Sequence, residues 1–154
     1  MKNNTLKNIL ISALPVLVVA VLGSVFVNLG MDWFNSLVKP SQWVPNVLIP
    51  IVWTIIYIVV AIILYLWISK EKLPTKIGVL FAVNGILNVL WCLLFFTLHQ
   101  TLIGLVAILL NVAFAVWLVV EIFKHKPNYA LALLIYPAWL TIATCLNLAI
   151  WILN

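Results

Sequence analysis

Five long apolar runs decide most of what this chain can become. They extend from Ile9 to Leu29, Val47 to Ile68, Ile77 to Leu98, Leu102 to Phe123 and Tyr129 to Leu153. A bilayer hydrocarbon core of about 30 Å is crossed by about 20 apolar residues in a helix. Lipid offers backbone N–H and C=O groups no partner, so the runs must satisfy them internally. They do not alternate polar and apolar over about 10 residues, as barrel strands would. The expected fold is an all-α membrane protein, a single five-helix transmembrane bundle over residues 1–154. The first run starts like a signal peptide, with Lys2 and Lys7 before it, but continues to Val27 and is expected to stay as a helix.

Composition agrees. The chain is 67% hydrophobic and 7% charged, against about half and a quarter in soluble domains, so lipid must be part of its solvent. The net charge of +5 comes from lysines with no arginine. They stand between apolar runs rather than along one solvated face, so no nucleic-acid partner is expected. Lys2 and Lys7 precede the first run, Lys70, Lys72 and Lys76 lie between the second and third, and Lys124 and Lys126 lie between the fourth and fifth. These segments share one side, leaving Lys39 on the other. The positive-inside rule then puts the N-terminus in the cytoplasm, in what the charge bias suggests is a bacterial cytoplasmic membrane. Connections are short except for Gly30 to Asn46, where Trp33, Pro40, Trp43 and Pro45 suggest a packed cap.

Familiar catalytic constellations are missing. No buried histidine stands ready to activate a hydroxyl, and no H-E-x-x-H occurs. Cys92 and Cys145 both fall in apolar runs and read as buried small hydrophobes, with no metal expected. His99 and His125 read as solvated loop residues. Glu121 lies one turn from Lys124 and Lys126 and is expected to snorkel with them. Asn111, flanked by Ala107 and Ala115, reads as interhelical glue. Gly78, Ala82 and Gly85 would admit a close helix, either within the bundle or in a dimer.

Three runs carry stripes of large aromatics with a few polar groups. Ile49, Trp53 and Tyr57 share a face of the second, Asn84, Asn88, Trp91 and Phe95 of the third, and Tyr136, Trp139, Ala143 and Asn147 of the fifth. Converging, they would wall an apolar, sparsely polar pocket for a large planar ligand, stacking on its rings and orienting it through amides. The alternative is that the asparagines join helices and the tryptophans form belts. Trp33, Trp43 and Trp151, at helix ends, suit belts.

The segment Lys39-Pro40-Ser41-Gln42-Trp43-Val44-Pro45-Asn46 with Val52-Trp53-Thr54-Ile55-Ile56-Tyr57 resembles the signature of the TspO/MBR family, the tryptophan-rich sensory proteins and translocator proteins. Gly23-Ser24 and Trp33-Phe34 fit the same pattern, as do Asn88-x-x-Trp91-x-x-x-Phe95-Phe96 and Trp139-Leu140-x-x-Ala143-Thr144-x-Leu146-Asn147. Against that pattern Gln42 and Trp43 are exchanged, Val44 replaces a proline, Ile135 stands before Tyr136 with the proline at Pro137, and Ala107 replaces an acid. Leu148 to Asn154 supplies no sterol motif.

The resemblance implies a five-helix bundle, commonly a homodimer, with a pocket beneath the first loop. It implies binding of porphyrins such as protoporphyrin IX or haem, and of benzodiazepine-type hydrophobic drugs, with no obligatory cofactor and a role in porphyrin transport or regulation. Matching positions give a lining of Trp53, Tyr57, Asn88, Trp91, Trp139, Ala143, Leu146 and Asn147, with Lys39 at the mouth to pair with a propionate. Trp53 and Trp139 match the tryptophans tied to light- and oxygen-dependent breakdown of protoporphyrin in some members, which makes an enzyme-like activity the alternative.

Overall fold

The computed structural model describes residues 2–41 and 44–154, and secondary structure there is helical throughout. The helices are α1 (Lys2–Leu29), α2 (Met31–Ser36), α3 (Leu48–Ile68), α4 (Thr75–Cys92), α5 (Thr101–Phe123), α6 (Pro127–Leu133) and α7 (Ile135–Leu153), with a π-helical turn, Leu93–Thr97, continuing α4. Five stretches have the length and apolarity to cross a bilayer: Asn4–Leu29, Leu48–Ile68, Thr75–Thr97, Thr101–Phe123 and Pro127–Leu153. This is the expected five-span bundle of an integral membrane protein.

Local chemistry sets the ends. Pro74 takes an extended ψ of 133° and starts α4 two residues before the apolar run. The fifth span is two helices rather than one. Pro137 has no N–H to give the Leu133 carbonyl, and the chain breaks at Leu134, with the Ala138 N–H reaching the Leu134 carbonyl at 3.2 Å.

Short connections lay α4 along α5 and α5 along α7; α3 meets α6 and α7, and α1 closes the ring between α3 and α4. Gly85 belongs to that closure, since a Cβ there would sit 3.0 Å from Val19 Cγ2. At Gly85 the small residue thus admits α1 within the bundle, whereas a Cβ on Gly78 would meet only Leu73. Cys92 is buried as expected, whereas Cys145 is exposed, because it stands on the α7 face opposite the buried Ala143 and Asn147.

Lysines gather at one end of the ring. Glu121 accepts from Lys76 at 2.9 Å and Lys124 at 3.0 Å. Lys126, expected beside Glu121, pairs instead with Glu71, because the turn after α5 aims it at the α3–α4 connection. That hydrogen bond holds the Lys126 ammonium above the ordinary lysine pKa.

The opposite end carries a packed cap. Gly30 sits against the π-helical turn so closely that a Cβ would lie 1.8 Å from the Phe96 carbonyl oxygen. Thr97 Oγ1 donates to the Phe26 carbonyl at 2.8 Å, tying the turn to α1. The Asn154 amide accepts from the Val38 N–H at 3.0 Å and donates to the Val38 carbonyl at 3.1 Å. The Trp33 ring stacks on His99 at 4.2 Å and meets Phe95 edge-on at 5.7 Å. His99 is exposed as expected, yet it carries this stack. Trp151 stays outward and 44% exposed, in keeping with a belt. Trp43 and the Gln42–Trp43 exchange lie outside the described residues.

Candidate functional site

The three sequence stripes converge. Trp53 from α3, Trp91 from α4 and Trp139 from α7 line one recess beneath the cap. Each sits on the inward face of its helix, one turn from other inward residues. Ala143, Leu146 and Asn147 complete the α7 wall, Ile49 extends the α3 wall, and Phe34, Phe95 and Phe96 close the space. The Trp53 and Trp91 ring centroids are 6.3 Å apart, and Trp53 meets Tyr136 edge-on at 6.5 Å.

The π-helical turn explains how two adjacent phenylalanines serve one recess. Successive α-helical side chains diverge by about 100°. Here the Leu98 N–H reaches back five residues to the Leu93 carbonyl at 2.9 Å, widening the turn so that Phe95 and Phe96 are both buried. Such π insertions recur at functional sites. Phe95 stacks on Trp91 at 6.0 Å, and Phe34 tilts onto Phe96 at 5.2 Å. Phe34 and Phe96 were not among the expected lining residues. Their sequence signals were the aromatic pair in the first loop and the doubled phenylalanine before a tight turn.

Polar groups around the recess mostly hold its walls. Asn147 Oδ1 accepts the Trp91 indole N–H at 3.0 Å, while its amide nitrogen donates to the Thr101 carbonyl at 2.9 Å. One residue thereby orients the indole and anchors α7 to the start of α5. Behind Trp53, Tyr136 donates to Asn111 at 3.1 Å, making Asn111 the glue its flanking alanines suggested. The Trp139 indole N–H, in contrast, finds no acceptor among the described residues.

Three expected site residues do not line this recess. Asn88 donates to the Tyr57 hydroxyl at 3.1 Å, and both residues line a separate slot of about 1000 Å³ between α1, α3 and α4, open at its side. Lys39 folds back on the cap, donating to the Phe34 carbonyl at 2.7 Å with its ammonium 4.6 Å from the Phe34 ring centre.

The recess holds only about 40 Å³ of free space. Drug-sized ligands occupy about 300–1,000 Å³, so the aromatic walls stand closed against one another. Among the described lining residues none is an acid, a lysine or a histidine. Such walls can stack on and desolvate a flat apolar molecule, but they offer no proton transfer.

The family model described as "TspO/MBR family" matches residues 11–152. The "Tryptophan-rich protein TspO" of Archaeoglobus fulgidus is 35% identical over 145 residues, 93% of this chain and 94% of the relative. The protein of the same name from Chlorobaculum tepidum is 36% identical over 142 residues, 90% of each. "Protein CrtK" of Rhodobacter capsulatus is 32% identical over 130 residues, 79% of this chain and 78% of the relative. With indoles from three spans meeting under a packed cap, and a match running nearly end to end, the chain belongs to the TspO/MBR family of membrane proteins.

Proposed function

We propose that this protein is a membrane receptor for tetrapyrroles such as protoporphyrin IX or haem, held in the aromatic recess, with a role in porphyrin transport or regulation. The observation that carries this reading is the convergence of Trp53, Trp91 and Trp139 on one apolar space. Indole faces stack on extended planar rings. The Trp139 N–H, buried without an acceptor among the described residues, becomes a donor for a carbonyl or carboxylate on the ligand once the walls part.

Admission of a porphyrin requires the walls to part, because about 40 Å³ is far too small for it. Phe34 lines the space from the cap, and Lys39 holds its backbone carbonyl. Freed from that carbonyl, the Lys39 ammonium becomes a partner for a propionate at the mouth. The lysine-rich end, gathered around Glu121 and Glu71, then faces the cytoplasm, and the cap faces outward.

Titrating the purified protein with protoporphyrin IX while following tryptophan fluorescence tests the reading. Saturable quenching at micromolar ligand is expected. Replacing Trp53 and Trp139 together by Phe should weaken binding about tenfold, the loss of two stacking contacts. Trp117→Phe, on the exposed face of α5, should leave affinity unchanged. No saturable quenching overturns the proposal.

A second reading rests on Trp53 and Trp139 lining the same space. An illuminated porphyrin held there has oxidisable indoles beside it, and with molecular oxygen the ligand is degraded. Illumination should then give a new absorbing product from the unmutated protein and none from Trp139→Phe. A product forming equally fast in both rejects that role for Trp139.

A further inference from the structure

Charge is shared unevenly between the two ends of the bundle. The cap end carries Asp32 and Lys39. Among the described residues the opposite end carries Lys7, Lys70, Lys72, Lys76, Lys124 and Lys126, against Glu71 and Glu121. Asn8 donates to Ser69 at 3.4 Å, which brings the start of α1 beside the end of α3. Lys126 is paired with Glu71. Lys7, Lys70 and Lys72 are exposed and have no ion-pair partner among the described residues.

One part of this end is built differently. Lys76 on α4 and Lys124 just past α5 donate to the same oxygen of Glu121, at 2.9 and 3.0 Å, which holds the two ammoniums side by side. An ammonium has three donors, so each keeps N–H groups free, on side chains 53% and 58% exposed. One carboxylate between two ammoniums leaves the group positive. Trp117, one turn of α5 inward from Glu121, is half exposed, and the Lys76 ammonium lies 5.5 Å from its ring centre. Phe114 stacks on Trp117 at 5.8 Å, and Leu110 continues the same outer side of α5. An exposed indole at a span's end marks the level where headgroups meet hydrocarbon. The paired ammoniums therefore stand at headgroup depth on the outside of the bundle, directly beyond an apolar track.

We propose that Lys76 and Lys124 form a site for an anionic phospholipid, with its phosphodiester oxygens on the two ammoniums and an acyl chain along Phe114 and Leu110. A phosphate accepts charge-assisted hydrogen bonds from both ammoniums at once. Glu121 sets their spacing before the lipid arrives, so less ordering is needed on binding. A headgroup without a cation of its own, such as phosphatidylglycerol, is favoured, because choline would bring another positive charge beside the lysines. The other lysines of this end add an attraction that salt screens, whereas the pair fixes where the lipid sits. The site rests neither on the tetrapyrrole reading nor on which end faces the cytoplasm.

The test uses the full chain in phosphatidylcholine nanodiscs, with a fixed fraction of the lipid replaced by a chain-brominated probe, either phosphatidylglycerol or phosphatidylcholine. Bromine quenches an indole that it touches, and the difference between the parent and Trp117→Phe isolates the signal of Trp117. Phosphatidylglycerol should be preferred at Trp117 about fivefold, the effect of one net positive charge near the surface. Replacing Lys76, Glu121 and Lys124 together by Gln should abolish that preference. Replacing Lys70 and Lys72 by Gln removes twice the net positive charge and should leave most of it. Equal quenching by the two probes in the parent overturns the proposal. A larger loss in the Lys70 and Lys72 variant than in the triple variant also overturns it, making the attraction a diffuse field of the whole end. Loss of the preference on adding millimolar glycerol 3-phosphate would assign the ammoniums to a soluble phosphate and equally overturn it. If the triple variant does not fold, the Lys70 and Lys72 variant decides: a retained preference supports the site, and a lost one rejects it.

Discussion

The recess under the cap and the slot beside α1 share α3 and α4, yet they solve opposite problems. Aromatic rings close the recess to about 40 Å³, and its central amide, Asn147, is bonded at both ends. Aliphatic chains leave the slot open at about 1000 Å³, and beside it the buried Asn84 and Asn88 carbonyls find no donor among the described residues. Lipid gives helices no hydrophobic reason to associate, so packing and interhelical hydrogen bonds must hold them. Where large flat side chains interdigitate, as around Trp91, the space fills. Along α1, Asn84 bonds only to its own helix, and the space stays open.

The sharpest way to break this contrast is to loosen the closed side alone. Gly30→Ala drives a methyl into the Phe96 carbonyl and should destabilise the protein by about 3 kcal/mol, the upper range for overpacking. Thermal melting in detergent should show a large drop in Tm, and a variant melting like the parent would refute the close packing of cap and turn. Exchanging the two kinds of asparagine is the next test. Asn147→Leu leaves the Trp91 N–H and the Thr101 carbonyl without their partner and should cost about 1–3 kcal/mol. Asn84→Leu removes an unsatisfied carbonyl and should be neutral or stabilising by up to about 1 kcal/mol. Equal losses in the two variants would erase the distinction between the cavities.

A smaller effect is expected at the tie between α1 and the π-helical turn. Thr97→Val keeps the shape, removes the donor to Phe26, and should cost about 0.6 kcal/mol, the average for such bonds in membranes. The smallest concerns pH. None of the described residues lining either cavity is charged, so the titration belongs to the lysine end. The pKa of Lys126 is raised by Glu71, so its contribution is full below the ordinary lysine value and fades as pH climbs through the raised one. Tm should therefore hold steady around neutrality and decline slightly only at alkaline pH. Glu71→Gln should flatten that decline, and an unchanged decline would assign it elsewhere.

Much of the recess was legible in the residues. Helical spacing put Trp53, Trp91 and Trp139 on inward faces, and the structure joins them. Tyr57 and Asn88 share the same stripes but face the slot, because a stripe fixes the direction of a side chain and not its depth. Trp33 reads as a belt residue from its place at a helix end, and its stack on His99 and edge contact with Phe95 are set by the tertiary structure. Lys126 was expected beside Glu121 by proximity in sequence, but the turn after α5 gives it to Glu71.

Taken alone, the sequence determined that this chain crosses a membrane five times as helices, because apolar runs of that length have no other way to satisfy their backbone in lipid. It also determined which faces carry indoles and amides, because the helical repeat is local. Tertiary structure decided where the fifth span breaks, that a π-helical turn places two phenylalanines together, and that the indoles close on themselves while a slot stays open beside α1. Those outcomes depend on which helix meets which, and at what depth. Contacts between residues distant in the chain set both.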